Sequence, residues 1–329
     1  SKAIKRAMTY TSPGWIDTIH NEFASGESIL RQTFGYTSGG YEGAGYFNGN
    51  IAQITTENGI DAGKSYDYKY KYDQRGQLVV AQHSKDNQYS IGIAAPTNFD
   101  PNGNIQTISQ GDTVKTYGYE PNTNKVNTVT AGDLTQTYGY DSGGNIQSSS
   151  FRGINQIAYS ALNNLPVRLG LSNNTIDYSY NAQNQRVVNQ QSVGTSKVYV
   201  HGLNEYPLLE ITDTTVQYIY GVGGLLAMIK DGNLCFVLKD QQGSTRAVVD
   251  EEGTVKTMLD YMPFGQLIQN GIGDSSFIDY KFTGQELDHE TGLYNYRARF
   301  YDPELGRFYS KYPKFQYGSP FVYCINNPL

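Results

Sequence analysis

The sequence is poor in several residues on which common protein classes depend. Its 329 residues include 2 cysteines, 1 tryptophan and 4 methionines. Cys235 and Cys324 lie far apart in apolar surroundings, which is typical of two buried free thiols and not of a disulfide framework. No apolar run approaches the roughly 18–20 residues that a membrane-spanning helix needs. We therefore expect no membrane span, and the start of the sequence does not resemble a signal peptide.

Charged and metal-ligating residues are also sparse or scattered. The formal net charge is -6 and no run of Lys and Arg occurs, so the clustered positive charge of nucleic-acid-binding proteins is missing. No glycine-rich phosphate loop and no nucleophile elbow is visible. The four histidines do not have the spacing of metal ligands; they are His20, His83, His201 and His289. The sequence therefore predicts no nucleic-acid partner, no metal and no cofactor.

Tyrosine and glycine are abundant, with 29 and 36 residues. Runs of Tyr, Thr, Val and Ile between Gly and Asn turns favour an all-β chain. The one plausible helix is short and lies around residues 16–23 or 28–31. From residue 197 onward the runs become more apolar and predict five strands, at 197–200, 206–211, 216–220, 225–230 and 234–239.

Short motifs recur along the first two thirds of the chain. Tyr-Gly-Tyr occurs at 117–119 and 138–140, and Gly-Asn-Ile occurs at 49–51, 103–105 and 144–146. Each repeat is predicted to be a β-hairpin whose turn consists of Asp, Asn, Ser and Gly. One hairpin cannot bury its aromatic face alone, so successive hairpins are expected to stack into a continuous sheet with paired tyrosines. The repeats by themselves allow a shell, a solenoid or a propeller.

The last third of the chain carries a different series of motifs. It begins with DQQGSTR at 240–246 and PFG at 263–265, continues with FTGQE at 282–286, and ends in TGLYNYRARFYDPELGRF at 291–308. Short strands and glycine turns are predicted here, and charges buried among the aromatic rings would have to be paired. The expected pairs join the arginines of this region to its carboxylates, namely Arg246, Arg297 and Arg307 to Asp240, Glu286 or Asp302. The residues expected to be structural are Asp240, Gly243, Arg246, Gly265, Gly284, Glu286, Tyr294, Tyr296, Arg297, Gly306 and Arg307.

This series of motifs resembles the Rhs-repeat-associated core of Rhs/YD-repeat proteins, and the hairpin repeats before it resemble the YD repeat of the same family. The family includes bacterial polymorphic toxins, the C components of insecticidal toxin complexes and the teneurins of animals. The resemblance implies that residues 1–239 form a spiralling β-sheet shell, hollow or part of a hollow one. It also implies that residues 240–329 form a core that rolls inward and plugs one end, continuous with the shell in one structural domain.

The resemblance further implies a candidate site, because Rhs cores resemble aspartyl autoproteases in which an Arg and the Asp of an Asp-Pro dipeptide cooperate. Arg299 stands at the arginine position, but the dipeptide position reads Tyr312-Pro313, so Tyr312 replaces the carboxylate. A phenol with a pKa of about 10 is a poor general base at neutral pH. Asp302 is a weaker candidate, because its Asp-Pro-x-x-Gly-Arg context is typical of a turn. The chain is therefore expected not to cleave itself, and the sequence stops short of the family's Asp-Pro-Asp-Gly-type scissile segment.

Three functions are compatible with the sequence. The first is a structural container for a tethered or cleaved C-terminal toxin domain, which this chain lacks, with a second protein completing the shell. The second is an extracellular recognition module of the teneurin type, and the third is an active autoprotease, which Tyr312 disfavours. A tyrosine-lined patch on the outside would favour recognition, whereas an inward-facing apolar lining would favour the container. The resemblance also implies a secreted or cell-surface protein.

Overall fold

The computed structural model describes residues 3–202, 206–312, 314 and 318–329 and, within these ranges, every side chain except those of residues 269 and 270. The described chain consists of β-strands, turns and short 3₁₀ helices and contains no α-helix. The all-β prediction is therefore confirmed. The 3₁₀ helices are Tyr41–Gly43, Ala62–Lys64, Asn87–Tyr89, Ser275–Phe277, Phe282–Gly284 and Cys324–Asn326.

The first six strands form one antiparallel sheet in sequence order. They are β1 (Ile4–Tyr10), β2 (Ile16–Phe23), β3 (Ser28–Gly35), β4 (Gln53–Asn58), β5 (Tyr66–Tyr72) and β6 (Leu78–His83). The prediction of a helix at 16–23 or 28–31 is wrong, because these residues form β2 and the first half of β3. Buried residues alternate along β2 at Ile19, Asn21 and Phe23, which is the two-residue period of a strand.

The next strands follow one another around a closed ring, in which β24 neighbours β7 and β9 neighbours β10. We call this ring the wall. Its strands up to residue 201 are β7 (Asn98–Phe99), β8 (Ile105–Gln110), β9 (Thr113–Tyr119), β10 (Val126–Ala131), β11 (Leu134–Tyr140), β12 (Ile146–Ser149), β13 (Ile154–Tyr159), β14 (Pro166–Leu171), β15 (Thr175–Tyr180), β16 (Arg186–Gln191) and β17 (Lys197–His201). Those that follow are β18 (Pro207–Ile211), β19 (Thr215–Gly221), β20 (Gly224–Lys230), β21 (Asn233–Lys239), β22 (Thr245–Asp250), β23 (Val255–Tyr261) and β24 (Leu267–Gly273). The five predicted apolar strands correspond to β17–β21, and the wall continues past residue 240 through β24.

A small four-stranded sheet lies inside the wall. Its strands are β25 (Glu286–Asp288), β26 (Leu293–Asn295), β27 (Phe300–Asp302) and β28 (Arg307–Phe308). Leu293 and Phe300 pack into an apolar cluster with one side of the wall and with first-sheet residues such as Phe34 and Tyr68. Tyr294 and Tyr301 pack into a second cluster with β19–β23 on the other side. Both faces of the small sheet are therefore buried, and we call the described residues of 274–329 the plug.

Two hydrogen-bond contacts recur in the hairpins of the YD repeat. The tyrosine that ends a strand donates its hydroxyl to the backbone carbonyl of the residue that begins the preceding strand. The hydroxyl of Tyr119 bonds the carbonyl of Ile105 at 2.7 Å, and that of Tyr180 bonds the carbonyl of Pro166 at 2.8 Å. The next residue caps the turn, since Asp141 Oδ1 accepts the backbone N–H of Asn145 at 2.8 Å. Each repeat thus fixes both the spacing of its strands and the geometry of its turn.

The first sheet overlaps the outside of the wall. Phe23, Ile29 and Leu30 of β2 and β3 share a buried apolar cluster with Ala247 and Val249 of β22. The intervening residue of β22, Val248, belongs to the interior cluster instead. Successive strand side chains point to opposite faces, so β22 is covered on the inside by the plug and on the outside by the first sheet.

Candidate functional site

The two positions that the resemblance singles out for autoproteolysis lie together in the structure. Arg299 follows β26, and its guanidinium carbon lies 3.5 Å from the ring centroid of Phe308 and 5.0 Å from that of Tyr312. Burial lowers the pKa of Arg299 to about 10, although the neighbouring Tyr312 acts in the opposite direction. Among the described residues the buried Nη1 has no hydrogen-bond partner. The arginine therefore rests on aromatic rings, and Pro313 of the predicted dipeptide lies outside the described residues.

Asp302 is fully buried and already bound on both carboxylate oxygens. Arg152 of the loop between β12 and β13 donates to it from Nη2 and, at 3.0 Å, from Nε. The hydroxyl of Tyr309 donates at 3.1 Å, and the backbone N–H of Glu304 donates at 2.9 Å. The last bond is the Asx turn that the sequence context indicates. This carboxylate fastens the plug to the wall, and its bonds leave it poorly placed to act as a base.

Glu286 and Asp288 are held by one arginine of the wall. Arg186 of β16 donates to Asp288 at 2.9 and 2.7 Å and to Glu286 at 2.5 Å, while the Tyr199 hydroxyl donates to Glu286 at 2.5 Å. Burial opposes ionisation of Glu286, but Arg186 and Lys197 outweigh it and lower the pKa of this carboxyl. The repeat region thus supplies cations that the sequence analysis missed, because Arg186 is remote in sequence from its partners.

The pairing expected for Arg246 is present only in part, and that expected for Arg307 is wrong. Arg246 binds Asp260 and the hydroxyl of Tyr66, the latter at 2.8 Å, and approaches the predicted Asp240 only to 3.9 Å. Arg307 donates hydrogen bonds to four neutral groups, three of them in the wall and one in the plug. It donates to the Tyr119 hydroxyl, the Asn104 side chain, the Asn124 carbonyl and the Ser319 hydroxyl.

Arg297 stacks on an aromatic ring of the wall. Its guanidinium carbon lies 4.7 Å from the ring centroid of Tyr206, just ahead of β18. A planar guanidinium stacks on aromatic faces as well as pairing with carboxylates. The side chains of this arginine and of Arg307 therefore connect the plug to the wall, as those of Arg152 and Arg186 do in the opposite direction.

The structural residues predicted for this region occupy turns and buried positions. Gly265 has a φ of 93°, and a Cβ there would lie 2.4 Å from the ring of Phe282, so no larger residue fits. Tyr294 donates to the Gly265 carbonyl at 3.1 Å, and the Tyr296 hydroxyl lies 2.6 Å from Thr283 Oγ1. The other predicted glycines also have positive φ: Gly243, Gly284 and Gly306.

The two cysteines are free. Cys235 is buried as predicted, but the prediction of burial is wrong for Cys324, which is exposed. Cys324 begins a 3₁₀ turn of three left-handed residues that ends at Asn326. The amide of Asn326 donates to the Gly103 carbonyl at 2.8 Å. That anchor fixes the turn against the wall and leaves the thiol at the surface.

The described residues contain no group of three or more His, Cys, Asp or Glu side chains arranged to hold a metal ion. None of the helices found in them is long and apolar enough to cross a membrane. A cavity of about 480 Å³ lies between the plug and β23–β24, lined in part by Arg152, Leu259 and Tyr294. This volume is that of a small-molecule pocket.

Known proteins share this sequence pattern and this fold. Salivary gland surface protein 1 of Aedes aegypti is 36% identical over 207 residues, which cover 56% of this chain and 6% of that protein. Teneurin-1 of Homo sapiens is 25% identical over 265 residues, covering 76% of this chain and 9% of that protein. The crystal structure of TcdB2-TccC3-TEV has a similar fold, with a TM-score of 0.62 and 16% identity over 99% of this chain and 19% of that one.

This chain thus spans less than a tenth of these two curated relatives and about a fifth of the solved chain. The sequence also matches the family described as Teneurin YD-shell over residues 43–321. That match includes all of the wall, the second half of the first sheet and most of the plug. The match extends over most of the chain, and the matched hairpins repeat the same tyrosine and turn contacts. The chain therefore belongs to the Teneurin YD-shell family.

Proposed function

We propose that this chain is a wall-and-plug segment of a protein shell and that its role is structural containment. The proposal rests on the buried ion pairs and hydrogen bonds that join the plug to the wall. Arg152 and Arg186 extend inward from the wall to carboxylates of the plug, and Arg307 extends outward from the plug to the wall. Buried pairs of this kind fix geometry more than they add stability. A plug held at so many points is suited to closing a compartment.

The compartment would serve to sequester a tethered or cleaved C-terminal toxin domain, as in the toxin branch that the sequence resembles. The cavity between plug and wall, at about 480 Å³, holds a small molecule and not a folded domain. Enclosing a toxin therefore requires further wall, either from a longer polypeptide or from a second protein that completes the shell. The much greater length of the relatives supports this requirement. A secreted or cell-surface location is part of the same proposal.

We further propose that the plug is inactive as an autoprotease. Tyr312 occupies the position of the family's aspartate and presents its ring to Arg299, while Asp302 is bound by Arg152. The described site thus offers a cation without an available general base beside it.

Protease protection tests the container. Leu329 packs against the interior apolar cluster, so a short peptide with one protease site, appended after Leu329, begins inside the wall. The matched control carries the same peptide beside Leu162, a turn residue that is 97% exposed. We expect slow cleavage after Leu329 and fast cleavage at Leu162. Equal cleavage rates in the two folded chains would contradict containment.

A recognition module is the second candidate function, and an observation favours it. The tyrosines of the wall face inward, which fits the container, but an aliphatic area is exposed on the outer face of β17–β20. Apolar surfaces of this kind mark contact sites. The two functions are compatible, since one uses the inside of the wall and the other the outside.

A further inference from the structure

One asparagine of the chain stands in the sequence context that N-linked glycosylation requires. The acceptor motif is Asn-x-Ser/Thr, in which x is any residue except proline. Of all the asparagines in the sequence, only Asn173 is followed two positions later by Ser or Thr, in the segment Asn173-Asn174-Thr175. Because so short a motif also occurs by chance, its use depends on where the fold places it.

The motif lies in the turn between β14 and β15, at the surface of the wall. The backbone N–H of Leu171 donates to the carbonyl of Asn174 at 2.8 Å and closes this turn. Asn173, between the two, is exposed. Exposed turns tolerate additions that a packed strand does not. A glycan on Asn173 would therefore extend into solvent, and no part of the wall would have to move to accommodate it.

The two adjacent asparagines of the motif have different environments. Asn174 is held by the next hairpin, because its Oδ1 accepts the Ser192 hydroxyl at 3.1 Å and the backbone N–H of Val193 at 3.0 Å. Its amide group also donates to Gln191 at 3.1 Å. In the part of the chain that the structure describes, the side chain of Asn173 makes no hydrogen bond. Its carboxamide is therefore open to modification without the loss of a contact.

Other asparagines in turns of the wall make contacts that a glycan would break. Asn104 donates to Asn124 at 2.7 Å, and Asn145 donates to Asn164 at 2.8 Å. Each of these bonds joins two neighbouring turns. The one asparagine in the acceptor context is thus also one that contributes no such bond to the wall.

We propose that Asn173 is the acceptor of an N-linked glycan. The donor is an oligosaccharide attached through C1 to a lipid pyrophosphate. The bond from C1 to the pyrophosphate oxygen breaks as the bond from C1 to Asn173 Nδ2 forms, the lipid pyrophosphate leaves, and Nδ2 gives up one proton. Thr175 supplies the hydroxyl that the transferase requires at the third position of the motif. This assignment rests on the secreted or cell-surface location included in the proposed function, because the motif is used in secreted proteins.

Expression of the full chain behind a secretion signal in insect cells tests the acceptor. We expect the secreted, folded chain to lose mass on treatment with peptide N-glycosidase F, and peptide mass mapping should show that Asn173 is converted to aspartate. Release should not require denaturation, because Asn173 is exposed. The added signal directs the chain into the secretory pathway, so the result does not depend on the proposed location. A folded, secreted chain without a glycan would overturn the acceptor and leave the proposed location unaffected.

Variants of the motif identify the residue that carries the glycan. Asn173→Gln and Thr175→Ala should each abolish glycosylation, whereas Thr175→Ser should retain it, because the serine hydroxyl restores the motif. Ser172→Ala is the matched control: Ser172 is the exposed neighbour of Asn173 and lies outside the motif, so this variant should stay glycosylated. Circular dichroism checks that each variant is folded. A glycan that persists in Asn173→Gln would show that another residue carries it and would overturn the assignment.

Discussion

At the scale of single residues, the most consequential contact is the one between Arg186 and the two plug carboxylates. Its side chain and those of Glu286 and Asp288 are at most 5% exposed. Moving charges out of water is costly, and the cost is offset only while every charge keeps its partner. Arg186 acts on both acids of the plug: it lowers the pKa of Glu286 together with Lys197, and at Asp288 it opposes the rise in pKa that burial causes.

Replacing Arg186 with alanine should be severely destabilising. It would leave Asp288 buried without its cation and Glu286 with only Lys197, at 3.7 Å, which costs about 3–5 kcal/mol of unfolding free energy. Urea denaturation measures this change. Arg168→Ala is the matched control, because Arg168 also pairs with a carboxylate, Asp177, but the two side chains are 64% and 45% exposed. The control should lose much less, because solvent-exposed ion pairs contribute little to stability. Equal losses of unfolding free energy in the two variants would show that burial of an ion pair does not determine its contribution to stability.

Tyr312 is the second residue whose replacement is informative. Tyr312→Asp would place a carboxylate beside Arg299, whose lowered pKa reflects burial without an acidic partner. In a chain extended by an Asp-Pro-Asp-Gly segment, we expect the Tyr312→Asp variant to be cleaved and the chain that keeps Tyr312 to stay intact. Intact-mass measurement distinguishes the two. Tyr312→Phe is the control and should also stay intact, since it supplies no acid. Cleavage of the chain that keeps Tyr312 would contradict the proposed inactivity.

At the scale of the element, the repeating unit is a hairpin closed by a tyrosine hydroxyl and capped by an Asx turn. The hydroxyl of Tyr180, at the end of β15, bonds the carbonyl of Pro166, at the start of β14. Tyr119 and Tyr159 make the same bond in earlier hairpins. The aromatic ring fills the interior, while its polar tip satisfies a carbonyl at the rim of the sheet. Because both the ring and the hydroxyl are used, tyrosine, and not phenylalanine, dominates the repeat.

Tyr180→Phe should therefore destabilise the chain without changing its core. The ring remains, but the Pro166 carbonyl loses its donor, which costs about 1 kcal/mol. Tyr10→Phe on β1 is the control, because that side chain is 59% exposed, and its effect should lie within about 0.5 kcal/mol. Chemical denaturation of both variants gives the comparison. A negligible effect of Tyr180→Phe would mean that the hydroxyl bond does not contribute to the repeat.

Elements could be predicted from the sequence wherever their signals are local. β17–β21 begin and end within one or two residues of the predicted strands, because alternation and turn glycines are properties of short segments. The sequence predicts a helix where the structure has β2. The alternating burial of this segment depends on neighbouring strands, which a short stretch of sequence does not contain. The partners of Glu286 and Asp302 were also missed. Arg186 and Arg152 lie 100 and 150 residues away from them in sequence, and only the closed wall brings them together.

At the scale of the whole molecule, the wall and the plug form one interior crowded with tyrosines. Burial raises the pKa of these phenols, that of Tyr119 to about 12, even though Arg307 at its hydroxyl acts in the opposite direction. In the unfolded chain a tyrosine ionises near its ordinary pKa of about 10. Above that pH the folded state keeps protons that the unfolded state loses. Stability must then fall as the pH rises.

Some buried cations act against this trend. Burial lowers the pKa of Lys281 to about 8 and that of Arg299 to about 10. Each therefore adds stability as the pH rises from its folded pKa towards its higher unfolded value. Such cations are outnumbered by the buried tyrosines, among them Tyr68, Tyr117, Tyr178, Tyr301 and Tyr309. The net effect above pH of about 10 is loss of stability.

We therefore predict cooperative alkaline unfolding. Each buried tyrosine removes up to about 1.4 kcal/mol per pH unit above its unfolded pKa, and a typical domain has only about 5–15 kcal/mol to lose. Tyrosinate absorbance and far-ultraviolet circular dichroism, followed together in a pH titration, should therefore change in one steep step above pH of about 10. Gradual ionisation of all the tyrosines, with native circular dichroism retained, would mean that water reaches the interior. The proposal that the plug closes a compartment would then be wrong.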